Sequence, residues 1–558
     1  MWRTYDEAAF EEAKERGVPV MLLLGAELCP RSRAMRAALG AASGPLGDRF
    51  VCVYADKDAH PELDARHRGS GWPSIVLLRG GLADAGPVTS IEPVDASHAA
   101  EQILGAADGH GAATGEKAAS REASTAAIEA ICDMLVETAD PEFGGWGARQ
   151  KFPHPDALHL MLVRWSETGD ERYRQTVVRT LRSMQEREIK DSVEGGFFRF
   201  ATQRDWSVPN YEKPLLSNAK RMLAYAEAYQ ALGDETFKET AQGVARWMES
   251  ALLDEATGAF RAAQELDPAY ARVNSVEARR GLPEPTLDHV IYADQNAWAA
   301  IGLFKAGAVF GERHLVDRGV RALDFVLDEL FHSARGVSHY WNGSWNQPGD
   351  LRDQGAVLRA LVDGVHYAGE NRFLGPALEI AEWTASHLDS PDGTFRADLH
   401  QAPTAASRRS ADDLRYNAVM GEALIRLGVL LQDRRWTDRG RAALEAFLGS
   451  ERPHGFATAG FARALDLLVH EPVRVLVVGN RTDERRSALF DAGLRPYVAS
   501  RVAAAFDPVE DSSWTMRLGL QSPPDGAPYA IVERAARTYA ITGDPARLPA
   551  LMTGSERA

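Results

Sequence analysis

The sequence predicts a multidomain α/β plus all-α protein: a small α/β unit, then a ring of six helical hairpins (an (α/α)6 toroid), then a small C-terminal α/β lobe. Three observations predict it. Short apolar runs alternate with amphipathic stretches up to about residue 108. Helix follows helix from about 122 to 470, punctuated by a recurring glycine-aromatic signal. A β-rich run, Val473 to Gly479, opens a last segment, 471–558, of different character. At 558 residues the chain exceeds one ordinary core, so several domains are expected.

The first unit, 1–108, begins with an amphipathic helix from Trp2 to Arg16, in which Tyr5, Ala9, Phe10 and Ala13 recur at helical spacing. Val18 to Gly25 is a continuous apolar run suited to a buried strand. Cys29 opens a helical stretch to about Leu39. Phe50 to Asp56, Ser74 to Leu78 and Val88 to Glu92 read as further strands, and Ala96 to Ala107 as a closing helix. A strand, a cysteine at a helix start, a strand, and Pro73 just before the next strand together resemble the thioredoxin fold. That resemblance implies a cis peptide at Pro73 lying against the cysteine, and a Cys-x-x-Cys redox pair. Here Ser32 holds the second position, and a hydroxyl cannot close a disulfide. Cys29 is left as a reactive monothiol, its thiolate favoured by Arg31 and Arg33, or as part of a docking surface. Cys52 and Cys132 read as packed core thiols.

Ala106 to Ser120 is small, Gly-rich and unpatterned, which places a flexible linker at 109–121. The helical segment, 122–470, then repeats one unit. A Gly-led, mostly Gly-aromatic signal (Gly144-Gly145-Trp146, Gly195-Gly196-Phe197, Gly258-Ala259-Phe260, Gly336-Val337-Ser338, Gly393-Thr394-Phe395, Gly455-Phe456) returns at steps of about 50 to 80 residues, the self-similarity of a helical-pair repeat. A Gly-acid pair (Gly169-Asp170, Gly233-Asp234, Gly311-Glu312) separates the two helices of a unit. Six pairs with no polar terminal cap favour a closed ring, with an open superhelix as the alternative. The more apolar helices, such as Leu215–Leu232 and Ala293–Phe310, belong on the inside of that ring.

The stretch Gly195 to Asn218 anchors the functional reading. It sets Phe197, Phe198, Phe200, Trp206 and Tyr211 beside Arg199, Asp205, Glu212 and Lys213. Rings among charges suit a concave surface as well as a plug over a helical core. In a ring, the loops entering the inner helices line one mouth. They carry Lys151, Arg199, Trp206, Asn210, Tyr211, Lys213, Asn218, Asp294, Asn296, Asp353 and Asn417 as candidate ligand-binding residues. Such a set suits a sugar: rings stack on its faces, while carboxylates and amides hydrogen-bond its hydroxyls. Glu212 and Asp205 are the candidate acid–base pair. Asp156, Asp350 and Asp413 read as helix-start charges. The C-terminal lobe, with strands at Val473–Gly479, Tyr497–Val502 and Ala527–Ala536, shows no phosphate-binding motif and no evident chemistry.

Composition excludes several classes. Lys plus Arg is 63 and Asp plus Glu 79, a net charge of −16, which argues against a nucleic-acid or anionic-membrane partner. No apolar run approaches the ~20 residues of a membrane helix, and the start lacks signal-peptide character. Three cysteines supply no disulfide framework. The expectation is a cytoplasmic protein with no cofactor and no metal site, taking a sugar-like small molecule and, through the first unit, a protein partner.

The whole chain resembles the DUF255, or spermatogenesis-associated protein 20-like, family, in which a thioredoxin-like domain is fused to an (α/α)6 barrel. Arg199, Trp206, Pro209, Glu212, Lys213 and Asn218 match that family's longest motif. Gly144-Gly145-Trp146-Gly147 with Lys151-Phe152-Pro153, and Gly71-Trp72-Pro73, match two others. Asn210 stands where the family has His, Ser217 where it has Asp, and Ser32 and Arg33 where it has Cys and His. A family cysteine pair appears here as Glu533 and Thr538. The barrel is also similar to N-acylglucosamine 2-epimerases and six-hairpin glycosidases, which implies a fold more than an activity.

Overall fold

A computed structural model describes the chain except residues 1, 26–29, 42, 57–59, 61–62, 64–72, 80–85, 92–99, 101–102, 105–122, 148, 401–409, 449–451, 471, 524–525, 535–536 and 556–558. Cys29, Gly71-Trp72, most of Ala96–Ala107 and the linker therefore lie outside the described residues. The chain divides into two compact units, Met1–Lys117 and Ala118–Ala558.

In the first unit, α1 (Glu7–Arg16) starts later than its apolar spacing suggests, because the Asp6 side chain accepts from the Ala9 amide and caps it there. β1 (Val20–Gly25) is buried throughout, as a central strand must be. After α2 (Pro30–Ala41) and α3 (Ser43–Arg49) come β2 (Val51–Asp56), β3 (Ser74–Arg79) and β4 (Gly86–Ile91). The sheet order is β2-β1-β3-β4, with β1 and β2 parallel and the other two pairs antiparallel. Pro73 is buried just ahead of β3, and Ser32 is buried against Gly25 at the end of β1.

The second unit is built on twelve helices. Six form the inner set: α5 (Pro155–Thr168), α7 (Leu215–Leu232), α9 (Ala293–Phe310), α11 (Leu351–Asp363), α13 (Ala411–Leu431) and α15 (Thr458–Val469). Each touches the next, and α15 returns to α5, so the ring closes and the open superhelix is ruled out. The outer helices are α4 (Thr125–Thr138), α6 (Glu171–Glu186), α8 (Glu235–Trp247), α10 (Arg313–Phe325), α12 (Leu374–His387) and α14 (Arg434–Glu445), each packed on one inner partner. The Gly-acid pairs make the turns between them. Gly169 and Gly233 take left-handed backbone at the inner C-caps, and Asp170 and Asp234 accept from the second amide of the outer helix. Inner helices approach closely: a Cβ on Gly302 of α9 would lie 2.7 Å from Met222 of α7. Accordingly α9 is buried continuously from Ala293 to Gly307.

Between α10 and α11 runs a hairpin, β5 (Gly336–Trp341) and β6 (Trp345–Pro348), whose β5 also pairs with Ile291–Tyr292 at the start of α9. The C-terminal lobe has β7 (Val473–Val478), α16 (Glu484–Leu494), β8 (Arg501–Phe506), α17 (Ser512–Arg517), β9 (Tyr529–Arg534), β10 (Arg537–Thr542) and α18 (Leu548–Thr553), in sheet order β8-β7-β9-β10. The strand expected at Tyr497 starts four residues late. Arg426 of α13 holds the Ala499 and Arg501 carbonyls, and Gln230 of α7 holds those of Leu494, Arg495 and Pro496, so this backbone is pinned to the barrel instead of joining the sheet. Among the described residues no helix is long and apolar enough to cross a membrane.

Candidate functional site

Two sets of polar residues lie at the N-terminal ends of the inner helices, and their hydrogen bonding separates them. The first set staples the Gly-aromatic hairpins. The Asn218 amide accepts from the Phe197 N–H at 2.7 Å and donates to the Phe197 and Pro214 carbonyls. Asn296 does the same for Phe260 and Tyr292, Asn417 for Phe395 and Asp413, and Gln354 for Val337 and Asp350. One fully buried amide therefore fixes each of these hairpins to the first turns of the next inner helix.

Two hairpins add a buried ion pair. Lys213 donates to Asp191 at 2.6 Å and to the Gly195 carbonyl, and Arg279 also binds Asp191. Lys151 donates to Asp140 at 2.7 Å and to the Gly144 carbonyl. Burial pulls both lysines below their ordinary range, while the partner carboxylates push the other way. The five ligand-binding assignments Lys151, Lys213, Asn218, Asn296 and Asn417 are thus corrected. Their polar atoms are already engaged and their side chains are shut away from solvent.

The proposed acid–base pair does not assemble either. Glu212 is 5% exposed and lies against Arg199 at 2.7 Å. Asp205 accepts from the Ser207 amide and hydroxyl, and the hydroxyl bond holds its carboxyl below the usual range, the opposite of what a general acid needs. Trp206 is fully buried, donates its indole N–H to the Phe143 carbonyl, and packs where a Cβ on Gly145 would come within 2.4 Å of it. It has no face to offer a sugar. Asn210 accepts from the Glu212 amide, and Tyr211 packs edge-on against Phe198 with its hydroxyl 3.4 Å from Arg272. Cys29 lies outside the described residues.

The second set is the mouth itself. Asp353, second after the start of α11, lies 2.9 Å from His339 Nδ1 of β5 and accepts from the Asp294 amide of α9. Arg352 places a guanidinium nitrogen 2.8 Å from His339 Nε2, with Asp294 at 3.9 Å and Asp350 at 3.7 Å. Asp294, His339 and Asp353 are all buried. Burial pushes the Asp350 and Asp353 carboxyls up to about 6, Asp353 against the pull of Arg352. Burial works against the Arg352 charge, and the carboxylates Asp294, Asp353 and Asp350 outweigh it.

Next to Asp294 on the same face of α9 stands Trp298, with the Lys220 ammonium 4.2 Å from its ring centre. Lys220 also holds Asp156 of α5 at 3.2 Å; burial alone would raise that carboxyl, but Lys220 keeps it well below the usual range. His159, one turn further along α5, is buried with neither ring nitrogen hydrogen-bonded.

In this second set the polar atoms are incompletely satisfied. Asp294 Oδ1, Gln295 Oε1 and Arg352 Nε are buried without a hydrogen bond, Arg352 Nε having only the 3.9 Å approach to Asp294 Oδ2. Buried polar atoms with no hydrogen bond leave capacity here for a further partner. Asp294, His339 and Asp353 present ligand atoms close enough to share a cation, a juxtaposition no local spacing in the sequence reveals. Arg352 already brings positive charge onto this group, so the arrangement favours proton transfer over metal binding. Asp294 and Asp353 were legible in the sequence; His339, Trp298 and Lys220 were not. The alternation of Val337 and His339 on β5 was the signal for His339, since residues two apart share a face.

The chain matches no family model. It is similar along nearly its whole length to spermatogenesis-associated protein 20. The Homo sapiens protein is 22% identical over 716 aligned residues, covering 99% of this chain and 89% of its own, and the Rattus norvegicus protein is 23% identical over 709 residues with the same coverage. The resemblance read from Gly195–Asn218 and its companion motifs is therefore borne out. Among solved structures, similarity extends to cellobiose 2-epimerase from Spirochaeta thermophila (15% identity, TM-score 0.48, 61% of this chain and 94% of that one). It extends also to D-mannose isomerase (12% identity, TM-score 0.48, 62% and 99%).

Proposed function

We propose that the barrel mouth binds a small hydroxyl-rich ligand of the sugar class, and that His339, held by Asp353 and Arg352, moves a proton on it. The observation that carries this reading is a set of buried polar atoms with no hydrogen bond, Asp294 Oδ1, Gln295 Oε1 and Arg352 Nε, with Trp298 one turn along α9 from Asp294. Two acceptors and a donor next to an aromatic face are what a polyol needs, because each hydroxyl both donates and accepts. Asp353 on Nδ1 and Arg352 on Nε2 fix the orientation of the His339 ring, and a ligand displaces Arg352 from Nε2 before the imidazole moves a proton on it.

In the same reading the first unit, up to about residue 108, is a thioredoxin-like module without a resolving thiol, joined by the 109–121 linker. Its sheet order and the mix of one parallel and two antiparallel pairs support that. The barrel spans 122–470, with the lobe at 471–558.

Isothermal titration of the full chain against monosaccharides, amino sugars and their N-acyl derivatives tests the proposal. Saturable binding that disappears in Trp298→Ala supports it. No binding across the panel, or equal binding in Trp298→Ala, overturns it.

A further inference from the structure

We infer that the opposite end of the barrel holds a small anion, of halide to carboxylate size, in the cavity between the inner helices and the C-terminal lobe. At one level near the C-terminal ends of the ring, four of the six inner helices project a cation inward: Lys305, Arg359, Arg426 and Arg463. The lobe adds Arg501 from above, and Tyr497 closes the wall.

The charges do not balance. Arg359, Arg426 and Arg463 converge on the single carboxylate of Glu422, and only Arg359 has a second one, Asp363. Lys305 reaches Glu227 only at 4.0 Å, and its one hydrogen bond goes to the Tyr367 hydroxyl. Arg501 is bonded to neutral groups, the His366 ring and the Gly493 and Pro496 carbonyls. Asp466, the other carboxylate on the wall, is shared with Arg164 and His470. Arg164 lies off the cavity and has carboxylates of its own, Glu167 at 2.7 Å and Glu129 at 3.6 Å beside Asp466; among the described residues, the five cations that line the cavity thus meet three carboxylates, Glu422, Asp363 and Glu227. Uncompensated buried charge is costly. The negative ends of the helices account for little of the excess, because that field fades within the last turn and these side chains sit about a turn or more before it.

Open hydrogen-bonding capacity faces the same space. Arg463 Nε has no hydrogen-bond partner, and Tyr497 lines the same wall. The field there is positive: burial lowers His366, and Arg501, Arg426, Lys305 and Arg359 lower it further. Room decides the size of the occupant. The cavity is about 30 Å³, and one water needs roughly 10–15 Å³ on this measure. A halide or a carboxylate group fits; a tetrahedral phosphate does not.

Two measurements on the full chain test this. Crystals grown or soaked in bromide should show an anomalous peak within hydrogen-bonding reach of Lys305 Nζ and Arg463. At constant ionic strength, replacing gluconate by chloride or formate should raise the Tm of wild type by about 2 °C or more, and not that of Lys305→Met. Response to chloride assigns a halide; response to formate alone assigns a carboxylate. Bromide peaks confined to the surface, or a Tm indifferent to the anion in wild type, overturn the inference, and both readouts stand even if Lys305→Met fails to fold.

Discussion

The stapled hairpins and the incompletely bonded cluster stand at the same end of the same inner helices, one or two residues apart: Asp294 and Asn296 on α9, Asp353 and Gln354 on α11. They differ in completeness. Asn296 uses its amide fully on the Phe260 and Tyr292 backbone, whereas Asp294 leaves an oxygen buried and unbonded. A polar side chain at a barrel mouth is therefore no sign of a ligand by itself. What distinguishes the two is whether the fold already answers its hydrogen bonds.

Breaking a staple should cost the most. Asp191→Ala strands Lys213 as a buried cation and leaves Arg279 with Glu194 alone, both side chains being 3% exposed, and the expected loss is about 3–5 kcal/mol by denaturant unfolding. A loss under 1 kcal/mol would mean these hairpins are not held as described. Asn296→Ala leaves the Phe260 N–H and carbonyl unanswered, at about 1–3 kcal/mol, with ligand affinity retained. In the mouth, His339→Asn should lower any turnover of the bound ligand by about 100-fold or more while moving unfolding stability much less than Asp191→Ala does. The smallest change is in pH dependence. Asp353 binds its proton more tightly folded than unfolded, so its contribution to stability is most favourable at low pH and is lost as pH rises from about 4 through about 6. The difference in unfolding free energy between wild type and Asp353→Asn should fall across that window and level off above it; a rising difference would refute the assignment.

The ring was legible because its signals are local. Gly169-Asp170 and Gly233-Asp234 end one helix and cap the next, and the apolar runs Leu215–Leu232 and Ala293–Phe310 are inner helices with those same ends. The site was legible only in part because it is assembled from four segments: His339 from β5, Asp353 from α11, Asp294 from α9 and Lys220 from α7. Glu212 and Trp206 misled for a physical reason. Aromatic rings beside charges read alike in sequence whether they line a pocket or plug one, and here Trp206 fills the space above Gly145. The C-terminal lobe looked inert because Tyr497 and Arg501 acquire their meaning only from barrel residues far away in the chain.

Crystals of wild type soaked with the sugar that binds most tightly in titration test the central claim most directly. The account predicts density beside Trp298, with ligand hydroxyls on Asp294 Oδ1 and Arg352 Nε and one ligand atom within reach of His339. Density seated instead on Glu212 and Asp205, or a mouth left empty while the ligand binds elsewhere, would contradict it.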